Sequence, residues 1–133
     1  MRKRLKKVAD SLSLPLADRT MTYNSRPAQE LAKWAESEGK GEEFHHAVFR
    51  AYFVEAKNIA LAGVLIRLAE SVGLPAGEAE RVILSRRFRQ AVDADWARSR
   101  ALGIDAVPTF IFGSRRLVGF QPYEALAELI GRV

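Results

Sequence analysis

Gly103-Ile104-Asp105-Ala106-Val107-Pro108-Thr109-Phe110-Ile111-Phe112 separates two kinds of pattern in this chain. Before it, apolar residues recur at helical spacing; from Val107 they run almost without interruption through β-favouring residues. Gly113-Ser114 then fits a two-residue turn and Arg115 to Val118 a return strand, so a hairpin is the economical reading. Gln121-Pro122 opens a last helix whose Leu126, Leu129 and Ile130 can cover the sheet. A near-continuous apolar strand is typical of one buried on both faces, whereas an isolated hairpin is marginal and its open edge invites pairing. Two strands are too few for this pattern. It asks for a neighbour, either a segment of the same polypeptide ahead of Met1 or a second copy of this chain.

Moving towards the N-terminus, the helical patterns follow one another across short breaks. Arg86 to Leu102 reads as a long helix carrying Phe88, Ala91, Val92, Asp95, Trp96 and Ser99 on neighbouring positions, with Gly103 as its stop. A short helix fits Glu78 to Leu84. Another carries Val64, Leu65, Leu68, Ala69 and Val72 and ends at Gly73. Phe44, Ala47, Val48, Ala51 and Tyr52 form the stripe of a helix that begins near Glu42-Glu43, where acidic residues suit the dipole. Ahead of it, Asn24 or Ser25 can cap a helix whose first turn tolerates Pro27 and whose face carries Ala28, Leu31, Ala32 and Ala35. Short helices joined by Gly or Pro loops make a compact helical subdomain.

The first helix, with Leu5, Val8, Ala9 and Leu12 at helical spacing, holds Arg2, Lys3, Arg4, Lys6 and Lys7. Those five cations equal the whole formal net charge of +5, so the basicity is local, and a solvated helix face explains it better than a nucleic-acid surface. Cations in a first turn oppose the macrodipole, and no capping residue precedes them, which suggests a helix that began upstream of Met1. At 133 residues and 48% apolar content the chain can build a real core, and no run of about 18 apolar residues suggests a membrane span. No secretory signal is visible, so a cytoplasmic location is expected.

The side chains available for chemistry are few. There is no cysteine, hence no thiolate nucleophile, disulfide or thiolate metal ligand. The two histidines, His45 and His46, are adjacent and cannot share one helical face, which argues against zinc. The acidic pairs Glu42 and Glu43, Glu78 and Glu80, and Asp93 and Asp95 read as solvated helix faces, and Trp34 and Trp96 as core residues. No glycine-rich phosphate loop occurs.

Taken in order, several segments resemble the DsbA-like thioredoxin family, and within it the branch of FrnE-type dithiol oxidoreductases and 2-hydroxychromene-2-carboxylate isomerase relatives. Tyr23-Asn24-Ser25-Arg26-Pro27-Ala28-Gln29-Glu30-Leu31 is similar to the family's helix entry, and Phe44-His45-His46-Ala47-Val48-Phe49-Arg50-Ala51-Tyr52-Phe53 with Asn58-Ile59 to its second insert helix. Gly103 to Phe112 resembles its Gly-Val-x-x-Val-Pro-x-Phe strand, and Val118-Gly119-Phe120-Gln121-Pro122 its Gly-x-Gln-Pro turn. The resemblance implies an α/β, partial thioredoxin-like fold: residues 1–104 a helical insertion, and 105–133 the C-terminal β-β-α half. It implies that Pro108 is the family's cis-proline, whereas the chain alone favours a proline at a strand start. It also implies that Val107, Pro108 and Thr109 hold an extended peptide or protein thiol substrate, with glutathione as a partner in isomerase relatives and no bound cofactor. The active-site Cys-x-x-Cys of such a protein would precede these residues, so this polypeptide is expected to be redox-inactive alone and to contain no catalytic residue. The competing expectation is a cysteine-free binding or assembly module, a homodimer joined through the open strand edge.

Overall fold

A computed structural model describes residues 2–131; the expected ends of the two divisions at residues 1 and 133 lie outside the described residues. The elements, in chain order, are α1 (Arg2–Ser11), α2 (Arg26–Ser37), α3 (Gly41–Phe49), a π-helical turn (Arg50–Val54), α4 (Ala62–Ser71), α5 (Ala76–Ser85), α6 (Arg89–Ala101), β1 (Thr109–Phe112), β2 (Arg115–Val118) and α7 (Tyr123–Leu129). This is the mostly helical, two-stranded architecture expected of an α/β partial thioredoxin-like fold. Two compact units meet at Val92 and Asp93, within α6.

In the N-terminal unit, α2 is the central element and packs against α3, α4 and α5. Its expected stripe of Ala28, Leu31, Ala32 and Ala35 is buried, and so are Trp34 and Glu30, because neighbours cover the helix on more than one side. The Asn24 side chain accepts a hydrogen bond from the Arg26 amide at 3.0 Å, and Pro27 follows in the first turn. The helix ends where Gly39 takes a left-handed conformation (φ +72°) and the Lys40 amide returns to the Ala35 carbonyl at 2.8 Å. Leu31, Trp34, Phe44, Leu65 and Val82 are the large side chains at the centre of the core. The helix expected at 78–84 is longer, and the one expected at 86–102 starts only at Arg89. The cause is Arg86, which ends α5 in a left-handed conformation (φ 51°). Of the neighbouring positions expected on α6, only Val92 is buried, and Trp96 is exposed rather than part of a core.

In the C-terminal unit, β1 and β2 pair antiparallel with Thr109 opposite Val118 and Phe112 opposite Arg115, closed by the Gly113-Ser114 turn. Alternation sends Arg115 and Arg116 to opposite faces. Arg115 donates to the Glu128 carbonyl at the end of α7 at 3.0 Å, while Arg116 donates to the Leu102 and Gly103 carbonyls just beyond α6. Each guanidinium thus satisfies carbonyls that a helix C-terminus leaves open.

Candidate functional site

The three residues expected to hold substrate are contiguous at the entrance to β1. The Val107–Pro108 peptide bond is cis. The Pro108 carbonyl accepts the Gly119 amide at 2.7 Å, and the Thr109 hydroxyl donates to the Ala106 carbonyl at 2.6 Å, so both neighbours of the bond are anchored. Val107 is 87% exposed, and Phe110, Ile111, Phe112, Phe120 and Tyr123 also present apolar surface. A shallow cavity of about 580 Å³ runs between β1 and α7, bounded by Thr109, Phe110, Phe112, Tyr123, Leu126 and Ile130. Among the described residues, the strand expected to be buried on both faces is therefore largely exposed.

The N-terminal unit holds two features that no sequence pattern announced. The first is an ion-pair cluster around Glu30, a carboxylate only 5% exposed. It accepts from Arg26 Nε at 2.9 Å and from Arg86 Nη2 at 2.6 Å and Nε at 3.3 Å, and Arg26 also reaches the Arg89 carbonyl at 3.0 Å. The Arg86 hydrogen bond, against the opposing effect of burial and with help from Arg26, holds the Glu30 carboxyl below its ordinary range. The second is a pocket of about 450 Å³ between α2 and the α3 to π-turn segment. The π turn is marked by the Glu55 amide bonding the Arg50 carbonyl at 3.1 Å, five residues back. The Phe53 carbonyl accepts the Ala17 amide at 2.8 Å, and the Arg19 guanidinium stacks on the Tyr52 ring at 3.8 Å. These contacts tie the extended segment after α1 to the turn.

Glu42 and Glu80 face solvent, and Glu78 is bound by Arg81 at 2.6 Å and Arg87 at 3.3 Å. A general acid needs a raised pKa, yet hydrogen bonds to basic side chains, or to a backbone amide for Glu43, push Glu30, Glu43, Glu55 and Glu78 down. His45 Nε2 lies 3.2 Å from Glu36, whereas His46 Nε2 lies 3.9 Å from Glu42. Among the described residues no three metal-binding side chains gather in one place, and no helix is long and apolar enough to cross a membrane.

With the hairpin, its proline and the helical unit located, comparison with known proteins decides the family. The model of the DSBA-like thioredoxin domain matches residues 1–131. The chain belongs to the DSBA-like thioredoxin domain family. It is 34% identical over 90 residues, 65% of its own length, to the uncharacterised protein YwbO of Bacillus subtilis (strain 168), and spans only 44% of that relative. A crystal structure of a provisionally assigned protein disulfide isomerase from Nitrosomonas europaea shares the fold with a TM-score of 0.75 at 24% identity, over 96% of this chain and 69% of the other. The cytosolic disulfide reductase DsbM of Pseudomonas aeruginosa, solved with GSH, gives a TM-score of 0.59 at 23% identity, over 84% of this chain and 55% of the other.

Proposed function

We propose that these residues are the helical insertion (1–104) and the C-terminal β-β-α half (105–133) of a cytoplasmic DsbA-family thiol-disulfide oxidoreductase of the FrnE branch, and that they position substrate without performing the exchange. The observation that carries this reading is the uncovered β1 strand beside Pro108 in a chain that has no cysteine. In the exchange, a thiolate attacks a substrate disulfide sulfur, a substrate thiolate leaves, and a second thiol resolves the mixed disulfide, passing two electrons and leaving the enzyme pair oxidised. Both thiols would come from polypeptide outside these residues. Val107 would offer its backbone to an extended peptide or protein thiol substrate, with Pro108 and Thr109 fixing the strand that carries it. The family match, the disulfide-exchange proteins of like fold and the partial coverage of relatives support the reading. The DsbM structure with GSH supports glutathione as an alternative small thiol partner, the chemistry an isomerase relative would share.

The test is insulin-disulfide reduction by the protein isolated from its natural source. Pro108→Ala and Val107→Asp variants should lower kcat/KM at least about tenfold, chiefly through KM for Val107. Unchanged kinetics would remove these residues from the substrate site. The uncovered strand edge also supports a second reading, a homodimeric, redox-inactive assembly module. Sedimentation of the 133-residue chain as a dimer that β1 variants dissociate would favour it, and a monomer would sink it.

A further inference from the structure

We propose that the groove between α4 and the segment running from the end of α3 through the π turn to Lys57 binds a small phosphate monoester that carries an apolar group. The groove lies wholly in the N-terminal unit and shares no residue with the substrate strand proposed above, so the inference goes beyond the redox reading. Its volume, about 300 Å³, is at the lower end of the range of small-molecule sites. Four charged side chains line it: Arg50, Glu55, Lys57 and Arg67. Glu55 pairs with Lys57 at 2.5 Å and with Arg50 at 3.3 Å, contacts that hold its carboxyl below the ordinary range and keep it ionised at neutral pH. Three cations against one carboxylate leave two positive charges. Arg67 is the cation left over, since among the described residues neither a carboxylate nor a hydrogen-bond acceptor engages its guanidinium. It reaches back along α4, where a Cβ on Gly63 would lie 3.7 Å from its Nη1. The first turn of a helix disfavours a cation there unless an anion accompanies it. The facing wall is held in a strained shape: Ala56, between Glu55 and Lys57, is left-handed at φ 53°, and the Lys57 amide bonds the Ala51 carbonyl at 2.8 Å. Such strain persists only where surrounding contacts hold it, and it gathers at ligand sites. A phosphate monoester carries close to two negative charges at pH 7 and three acceptor oxygens, which answers the excess charge, whereas a carboxylate answers half of it. Ala47, Val64 and Leu68 supply apolar surface for the organic part.

The test titrates the full chain with phenyl phosphate at pH 7 and constant ionic strength, followed by carbon-13 methyl spectra and the arginine Nε–H signals, with benzoate and inorganic phosphate as comparison ligands. Saturable shifts are expected at the methyls of Ala47, Val64 and Leu68 and at the Arg67 Nε–H, with benzoate and inorganic phosphate each at least about fivefold weaker. Arg67→Gln removes an exposed cation that holds no carboxylate, so the circular dichroism should stay that of the parent while phenyl phosphate binds about tenfold more weakly. Glu55→Gln removes the competing carboxylate and should tighten binding about threefold. Non-saturating shifts, shifts centred on other residues, or an Arg67→Gln affinity equal to the parent would overturn the site. Unchanged or weaker binding by Glu55→Gln would overturn the charge match. Benzoate binding as tightly as phenyl phosphate would overturn the phosphate class, and inorganic phosphate doing so would leave an adventitious ion only.

Discussion

Replacing Glu30 by Gln removes one negative charge and leaves Arg26 and Arg86 facing an amide of nearly the same shape. Removing one partner from a fully buried ion pair costs about 3–5 kcal/mol, but an exposed pair is worth at most about 1 kcal/mol. The Arg86 side chain is 47% exposed and can turn to water, whereas Arg26 at 18% cannot readily do so. The loss should therefore fall between those limits, at about 2 kcal/mol, or about 10 °C in Tm for a unit of this size. The pH dependence follows from the lowered carboxyl pKa. A group whose folded pKa lies below its unfolded value stabilises above the unfolded value, here about 4.5, and loses that contribution as pH falls through the folded pKa. Urea unfolding followed by helical circular dichroism at pH 7 and pH 3 should show a parent-to-variant gap that narrows on acidification. A second variant separates charge from backbone: Arg86→Gly loses the ion pair but relieves a left-handed non-glycine residue, so it should cost less than Arg86→Ala. A gap below about 0.5 kcal/mol at pH 7, or one unchanged at pH 3, would refute the assignment of Glu30 as a charged clasp.

Other substitutions test other parts of the fold. Gly41→Ala would place a methyl 2.7 Å from Glu36 Cγ and 3.2 Å from its Cα; the second contact is with backbone, and a loss of about 2 kcal/mol in urea unfolding is expected. Leu65→Ala, at a fully buried position, should cost about 3 kcal/mol in the same assay, and a loss under about 1 kcal/mol would mean that α4 is not a core helix. Arg116→Ala should reduce stability by less than about 1 kcal/mol, since the Leu102 and Gly103 carbonyls can turn to water, yet the Gly103 and Ile104 amides should exchange faster with solvent. Undiminished protection there would show that the guanidinium does not hold the end of α6.

The hairpin was legible because the apolar period changes at Val107 and Gly113-Ser114 supplies the turn chemistry. The core stripe of α2 was equally plain. The π turn was not, because Phe44 to Phe53 continue a helical spacing that gives no sign of one extra residue in a turn. Nor was the break at Arg86, a residue with no local preference for a left-handed conformation; its partner Glu30 lies 56 positions earlier. For the same reason Trp96 was misjudged: an amphipathic-looking stretch predicts burial only if another surface is there to cover it, and α6 buries Val92 alone. Exposure of β1 carries the opposite lesson, since its near-continuous apolar sequence predicts burial on both faces and the described residues leave it largely exposed.

The central claim is that these residues work within a larger redox protein, and the most direct test is the intact mass and thiol content of the protein from its natural source. Alkylation with iodoacetamide followed by mass spectrometry should yield a species heavier than 14.8 kDa with labelled cysteine in a strand-helix segment ahead of Met1. A native species of 14.8 kDa that takes up no label would contradict the account and leave a cysteine-free module.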